Sequence, residues 1–292
     1  STKHFFVDDI DHPYNETQQF DWCRGYHVGG RSLMWGRQSY RRGEVDFEAN
    51  AKEGIAVDWP IRYKDIEPWY SYVERHVGIS GESLNLPQLP DSVFLKPMEL
   101  SCVEDHLKGS IAEKYDDRLL TIGRVAHITE GTKPGAGRIS CQYRNRCSRG
   151  CPFGGYFSSN SSTLPMAEAT GNMTMRANSV VHEVLYNPET KRATGVRVID
   201  AHTKESIEFK AKVIFLCASA VASTAILMQS KSAAFPNGMG NASGELGHNI
   251  MDHHFQVGAR ADVEGYEDQY YKGRRPNGVF IPRFRNLGGK TN

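Results

Sequence analysis

The sequence has 292 residues, enough for one large or two ordinary domains at roughly 150 residues per domain. It carries 35 basic and 34 acidic side chains, and the net charge of +1 lacks the strong positive field that nucleic-acid-binding and anionic-membrane-binding proteins need. With 39% hydrophobic and 24% charged residues, and no apolar run long enough to span a bilayer, the composition indicates a globular chain that is neither disordered nor transmembrane.

The first feature in chain order is a glycine-rich loop, Tyr26–Arg37, which combines Gly29, Gly30 and Gly36 with Ser32 and Trp35. Glycine pairs mark ordinary turns, and that is one interpretation. The other is a cofactor loop, because adjacent glycines let backbone N–H groups approach a flat or phosphorylated ligand closely. In that case the Ser32 hydroxyl is a further donor and Trp35 an aromatic wall.

A helix is predicted after the sequence Asp58-Trp59-Pro60. We expect it over residues 65–77, with Asp65 as the N-cap, Pro68 in the first turn and Gly78 at its end. Apolar side chains at helical spacing define one face: Ile66, Trp69, Tyr70, Val73 and Val77.

Three of the six cysteines lie close together, in the pattern Cys141-x5-Cys147-x3-Cys151-Pro152. Buried free thiols, a disulfide with a leftover thiol, a zinc site and an iron-sulfur cluster are all possible interpretations. Zinc is disfavoured because its cysteines usually come in closer pairs and the nearest histidine, His127, lies well upstream. The spacing favours a three-iron cluster, whose negative charge Arg144, Arg146 and Arg149 would offset. We expect Cys23, Cys102 and Cys217 to lie elsewhere.

The second half of the sequence predicts regular elements. Short strands are expected at 173–176, 180–186, 194–199 and 206–209, with a turn at 187–190, and together they form an antiparallel meander. The continuous apolar run Val213–Cys217 is typical of a buried parallel strand, and Ala220–Gln229 after it of a helix. The fold class is therefore α/β, of a mixed α+β kind.

A further polar segment, Gly247–His254, contains Asp252, His253 and His254. Neighbouring histidines point in different directions in a helix or a strand, so a metal pair is disfavoured. A plain polar loop and general acid-base chemistry by either histidine both remain open.

In order and spacing, these segments resemble the glucose-methanol-choline (GMC) family of flavoprotein oxidoreductases, especially its bacterial FAD-dependent sugar dehydrogenases. Four segments carry the resemblance: Val28–Gly36; Asp58-Trp59-Pro60 with its helix; the pattern from Val181 through Gly195 to Ala220; and Gly247-x-Asn249-x-x-Asp252-His253. By this resemblance Gly29, Gly30, Ser32, Trp35 and Gly36 contact the FAD, Val181 meets the adenine through its backbone, and Ala218 lies near the pyrophosphate.

Cys141, Cys147 and Cys151 resemble the loop of those family members that carry a 3Fe-4S cluster. Met34 stands where some relatives have a histidine bonded to flavin, so the resemblance implies non-covalent FAD, and Ser219 stands where a glycine is usual. The family's glycine-rich dinucleotide loop is not found, and its C-terminal catalytic histidine pair is expected beyond Asn292. No catalytic residue is assigned here, and we expect the chain to be a piece of a longer protein, inactive alone.

The resemblance implies a fragment of a doubly wound FAD-binding domain with an antiparallel crossover and part of a substrate domain. The expected regions are 1–172 with the flavin-contacting loops, helix and cysteine loop, 173–260 with the meander, and 261–292 as the start of a substrate domain. The implied activity is oxidation of a sugar or polyol CH–OH group, of the glucoside 3-dehydrogenase, glucose dehydrogenase or gluconate 2-dehydrogenase type.

Electrons would leave through the cluster to a cytochrome subunit or a quinone. The sequence itself fixes no location, and the resemblance implies a periplasmic or cytoplasmic-membrane-associated protein. Two alternatives stay open: an oxygen-using oxidase of the same family without a cluster, and a non-catalytic iron-sulfur or zinc module.

Overall fold

A computed structural model describes residues 2–251, 257–269 and 277–287. Within them the α-helices are α1 (Glu44–Glu53), α2 (Tyr63–Val77), α3 (Cys102–Lys114), α4 (Thr163–Ala169) and α5 (Ala220–Gln229). The strands are β1 (Ile79–Ser80), β2 (Thr121–Ile122), β3 (Val125–Ala126), β4 (Ser179–Asn187), β5 (Arg192–Asp200), β6 (Ser206–Lys210) and β7 (Val279–Phe280). The predicted mixture of helices and strands is confirmed.

The chain divides into two compact units, Ser1–Met173 with Asp262–Asn292, and Thr174–Ala261. The first unit has little regular sheet, because its paired strands, β1 with β3 and β2 with β7, are antiparallel and only two residues long. A small core forms where Val77, Ile79 and Ala126 meet, and partly buried aromatic side chains, including Trp35 and Phe157, pack against it. Long loops therefore make up most of this unit.

Helix α2 begins at Tyr63, two residues before the predicted start. Arg62 is the N-cap, and Asp65, predicted as the cap, is instead the third helical residue and accepts a hydrogen bond from the Arg62 backbone N–H at 2.8 Å. Pro68 is accordingly the sixth residue and lies beyond the first turn, which corrects that prediction. Gly78 ends the helix as predicted, with φ of 83°.

The predicted apolar face of α2 is only partly buried. Val77 is buried, whereas Trp69 is 67% exposed and Val73 is 53% exposed. Periodicity predicted the helix correctly but overstated how much of this face is covered within the described residues.

Buried arginines fasten the loops of the first unit. Arg37, Arg124 and Arg138 are each no more than 2% exposed. The Arg138 guanidinium donates to the carbonyl of Val77 at the end of α2 (2.7 Å) and to that of Gly154 in a distant loop (3.0 Å). Arg124 pairs with Asp91 at 2.6 Å and also donates to the Pro90 carbonyl. A guanidinium has five N–H donors, so one side chain can tie several segments together.

The second unit is built on the predicted antiparallel meander, which is confirmed with strand order β4-β5-β6. The turn after β4 is also confirmed, since the Asn187 side chain accepts hydrogen bonds from the N–H groups of Glu189 and Thr190. Helix α5 has the predicted bounds. It joins the sheet through Ser230 just after its end, whose hydroxyl accepts from the Val184 N–H at 2.8 Å.

Two predicted strands of this region are wrong. Residues 173–176 are not a strand, and the first unit ends at Met173. The run Val213–Cys217 is not a strand and pairs with no described strand, with Val213 66% and Phe215 83% exposed, and Cys217 is exposed rather than buried. An apolar run becomes a strand only where a neighbour takes up its backbone hydrogen bonds, and no described strand lies beside this one.

A buried ion pair fixes α2 to the segment before α1. Arg41 donates to the Glu74 carboxylate from Nε at 3.0 Å and from Nη2 at 2.6 Å, and the Ser71 and Tyr63 hydroxyls accept from the same guanidinium. Burial opposes the charge on Arg41, but the bonds to Glu74 and Tyr63 raise the pKa of Arg41 above its usual value.

We expect Glu74→Gln to lower the free energy of unfolding by about 3 kcal/mol, because it leaves the Arg41 charge buried without a counter-charge. Urea denaturation at pH 7 measures this. The matched control is Glu48→Gln, which removes the exposed pair with Lys52 in α1 and should leave stability nearly unchanged. Equal effects of the two substitutions would contradict a special role for the buried pair.

Candidate functional site

The glycine-rich loop turns sharply at its two adjacent glycines. Gly29 and Gly30 have φ of 97° and 48°, values that favour glycine, and a short 3-10 helix follows over Gly30–Leu33. A Cβ added at Gly30 or at Gly36 would meet no atom within 4 Å, so the backbone faces open space there. Open space beside the backbone is what a closely approaching cofactor would need, and the predicted contact stays a prediction.

The side chains of this loop are partly engaged inside the protein. The Ser32 hydroxyl donates to the Gly29 carbonyl at 2.6 Å and accepts from the Ser159 N–H at 3.0 Å. The Trp35 indole N–H donates to the Ser32 carbonyl at 3.0 Å, and its ring packs edge-on against Phe157. Ser32 thus stabilises the loop rather than offering a free donor, and contact with a ligand at this point falls to the backbone.

Beside Trp35 lies a groove of about 540 Å³. Most of its lining is aromatic or aliphatic, and includes Tyr40, Tyr70, Val73 and Phe157. This volume is within the range of small-molecule and cofactor sites, and an aromatic wall suits a flat ring. Of the glycine-rich loop's cofactor candidates, only Trp35 lines this groove.

Arg37 and Tyr156 connect the glycine loop to the cysteine loop. The Arg37 guanidinium donates to the carbonyls of Ser32 (2.8 Å) and Phe157 (2.8 Å) and stacks 4.3 Å above the Tyr156 ring. The Tyr156 hydroxyl donates to the Gly36 carbonyl at 2.8 Å. Burial lowers the pKa of Arg37, and nearby Tyr156, Cys147 and Cys151 oppose that shift.

The three clustered cysteines line one small cavity of about 20 Å³, together with Tyr156 and two of the three arginines, Arg144 and Arg146. The loop begins in a backbone ladder, in which Ile128 donates to Gly155 and accepts from Cys141. Cys147 then lies in a 3-10 helix, Cys147–Arg149, which turns the chain back toward Cys151. The other three cysteines are exposed and do not line this cavity.

The thiols in this cavity influence one another electrostatically. Burial raises the pKa of Cys147, and the neighbouring Cys141 and Cys151 raise it further. Burial likewise raises the pKa of Cys141, whose sulfur accepts a hydrogen bond from the Tyr143 N–H at 3.4 Å. Without a bound metal these two thiols therefore favour the neutral form.

His127 is a site residue that sequence reasoning missed. It lines the same cavity as the three cysteines, although it lies fourteen or more positions before them. It is 2% exposed, its ring packs edge-on against Tyr156, and burial lowers its pKa to about 4. No local sequence pattern signals this position, because an antiparallel backbone bridge between His127 and Tyr156, far apart in sequence, brings the side chain to this loop.

The cysteine cavity matches a cluster in its ligands but not in its present volume. Within 2–251, 257–269 and 277–287, no three His, Cys, Asp or Glu side chains are grouped so as to hold a single ion. In a three-iron cluster each thiolate binds a different iron, so the sulfurs stand further apart than around one ion. The cysteines match such a cluster in ligand type and number, but the present cavity has room for about one water molecule, and admitting a cluster requires the loop to open.

The second unit contains the other two predicted FAD contacts, Val181 and Ala218. Val181 lies in β4, an edge strand that pairs with β5, and its register is irregular between Val181 and Glu183. Ala218 is exposed, and its N–H donates to the Ser223 hydroxyl at 3.2 Å. Ser219 has φ of 72°, a value that favours glycine, which agrees with the glycine expected there from the family pattern.

The polar segment near residue 250 is described only in part. Gly247 has φ of 90°, and the Asn249 side-chain amide donates to Glu245 at 2.7 Å. Asp252, His253 and His254 lie outside the described residues. Helices long and apolar enough to cross a membrane are not found in the part of the chain that the structure describes.

Comparison with known proteins agrees with the resemblance seen in the sequence. The model of the GMC oxidoreductase family matches residues 135–255, which include the cysteine loop, the meander and α5. The 2-methyl-1,2-propanediol dehydrogenase of Mycolicibacterium austroafricanum is 26% identical over 262 residues, covering 84% of this chain and 44% of that protein. The fructose dehydrogenase large subunit of Gluconobacter japonicus is 25% identical, covering 77% of this chain and 41% of that protein.

A third relative is the paromamine 6'-oxidase of Streptomyces fradiae, 25% identical over 77% of this chain and 40% of its own length. Residues 135–255 of the chain match the GMC oxidoreductase family, in agreement with the sequence motifs. The chain spans less than half the length of each of these relatives.

His127 should make stability depend on pH. The unfolded chain takes up a proton near pH 6.5, whereas the folded chain does so only near pH 4, so stability present above pH 6.5 is lost as the pH falls toward 4. The full loss is roughly 3 kcal/mol. Denaturant unfolding between pH 7 and pH 4.5 should show a flatter profile for His127→Phe than for the wild type.

The exposed His202, in the turn between β5 and β6, is the matched control. We expect His202→Phe to keep the wild-type pH profile. A His127→Phe profile as steep as that of the wild type would contradict the burial argument.

Proposed function

We propose that this chain is part of an FAD-dependent oxidoreductase that oxidises a CH–OH group of a sugar or polyol and passes electrons through a 3Fe-4S cluster. The observation that carries the proposal is the family match across the cysteine loop and the meander, joined to a glycine loop whose backbone faces open space. Flavin, when bound, supplies the hydride acceptor for such an oxidation.

The residues of this chain position and shield that chemistry. Gly30 and Gly36 would hold the cofactor through the backbone, and Trp35 would lie beside its ring, where the aromatic groove excludes water. Val181 and Ala218 remain proposed contacts to the adenine and pyrophosphate ends. Because Met34 cannot form the histidyl bond, we propose non-covalent binding.

The cluster part of the proposal rests on Cys141, Cys147 and Cys151 lining one cavity. Arg144 and Arg146 in that lining would offset the negative charge of thiolate ligands, which tends to raise a cluster's reduction potential. Tyr156 lines the cavity and also donates to the glycine loop, which supports an electron path from flavin to cluster.

Relatives support the substrate class and the partner. Two of them are named as dehydrogenases of a diol and of fructose, which supports a polyol or sugar as substrate. One of these is named as a large subunit, which supports a partner subunit. We propose that the electron acceptor is a cytochrome subunit or a quinone. The catalytic base that removes the hydroxyl proton is proposed to lie outside this chain.

An oxidase without a cluster is the second candidate, because one relative is named as an oxidase. A single experiment separates the candidates. The full-length protein is purified without oxygen, its flavin, iron and zinc are measured, and sugars and polyols are tested with a one-electron acceptor and with oxygen. Flavin with iron and acceptor reduction supports the proposal, flavin without iron and with oxygen uptake identifies the oxidase, and metal without flavin overturns the enzyme assignment.

We expect Gly30→Val in the full-length protein to abolish FAD binding, because the new side chain would fill the open space that the cofactor needs. Gly54→Val is a matched control: Gly54 also has positive φ, 66°, and open surroundings, but it ends α1 and lies outside the loop. It carries similar backbone strain and should retain FAD. Measured flavin content per polypeptide decides, and normal content in Gly30→Val would contradict the proposed contact.

We expect Cys147→Ser to remove most iron and to slow electron delivery to a haem acceptor, while flavin reduction by substrate stays near the wild-type rate. The two half-reactions use different cofactors, so they can be measured separately. Cys102→Ser changes an exposed cysteine outside the cavity, and it should change neither the iron content nor the rate of electron delivery. Iron content equal to the wild type in Cys147→Ser would count against the cluster.

A further inference from the structure

A serine-rich turn directly after the cysteine loop contacts the glycine loop, although the two are far apart in sequence. The turn comprises Ser158–Ser162 and includes a 3-10 helix, Ser159–Ser161. Nothing in the sequence pattern assigned it a role. It is the main point at which the backbone of residues 28–32 is held from outside the loop.

Ser159 binds the loop through its backbone and its side chain. Its N–H donates to the Ser32 hydroxyl oxygen at 3.0 Å, and the two hydroxyl oxygens lie 2.8 Å apart. The same Ser32 hydroxyl donates to the Gly29 carbonyl. A hydrogen-bonded unit of Ser159, Ser32 and Gly29 results, and it fixes the peptide between the two glycines.

Asn160 binds Val28 and leaves no room for a side chain at position 29. Its side-chain amide donates to the Val28 carbonyl at 3.2 Å. Its carboxamide oxygen lies only 2.0 Å from the position that a Cβ on Gly29 would take, so only glycine fits against it. Asn160 is exposed, and core packing therefore does not account for these contacts.

We infer that Ser159 and Asn160 are positioning residues for the cofactor, which hold Gly29 and Gly30 in the conformation that accepts FAD. This inference rests on the proposed function. Adjacent glycines have wide backbone freedom, and a loop held in one conformation before binding loses less entropy when the ligand binds. The turn would therefore increase FAD affinity without touching FAD.

The test uses the full-length protein from which FAD has been removed. FAD is titrated into the wild type, Ser159→Ala and Asn160→Ala, and we expect the Kd to rise about 3- to 10-fold in each variant, as for the loss of one or two hydrogen bonds. Ser159→Thr keeps the hydroxyl and should recover most of the affinity. Ser161→Ala is the matched control, because Ser161 lies in the same 3-10 helix but its hydroxyl bonds only to Ser158.

Hydrogen exchange on the FAD-free proteins gives an independent readout. We expect the backbone amides of Gly30, Ser32 and Met34, which close the turns of the loop, to exchange faster in Ser159→Ala and Asn160→Ala than in the wild type or Ser161→Ala. Exchange in helix α2 of the first unit and in the meander of the second should be unchanged, which shows that both units are folded.

The positioning inference and the proposed function fail under different outcomes. Weaker FAD binding with faster loop exchange, and recovery in Ser159→Thr, supports the inference. A wild-type protein that binds FAD while both alanine variants bind it equally well overturns the inference and leaves the proposed function intact. A wild-type protein that binds no FAD overturns the proposed function and the positioning role with it.

Discussion

Hydrogen bonds from buried guanidinium groups to backbone carbonyls hold the first unit together. Its paired strands are two residues long and cannot fix the loops that carry the predicted site. Arg37, Arg124 and Arg138 replace that missing ladder, since each donates to at least two chain segments. Arg138 keeps its charge at neutral pH although burial lowers its pKa to about 10. Removing such a group would leave several carbonyls without donors at once.

One stretch of chain connects the cysteine cavity with the glycine-rich loop. Pro152, Phe153 and Tyr156 line the cavity, and Tyr156, Phe157 and Ser159 bond to residues of the glycine-rich loop. The Arg37 guanidinium stacks on the Tyr156 ring and donates a hydrogen bond to the Phe157 carbonyl. The sequence distance of more than 100 residues between the two loops is bridged by side-chain contacts, and the family match covers the later of the two.

Periodicity and turn chemistry predicted the elements that depend on local sequence. Helix α2 and the meander follow from spacing, and the early start of α2 arises because an aspartate suits the third helical position as well as the cap. The error at Val213–Cys217 has another cause: hydrophobicity reports a tendency to be buried and says nothing about the partner strand. His127 was missed because backbone pairing between distant segments, not spacing, brings it to the cysteines.

The unpaired segment Val213–Cys217 has a practical consequence. Its backbone pairs with no described strand and the side chains of Val213 and Phe215 are exposed, a combination that favours edge-to-edge assembly of separate molecules. Material limited to these 292 residues is thus prone to self-association and poor solubility. Phe215→Lys would place a charge within this apolar run and act as a gatekeeper against such assembly.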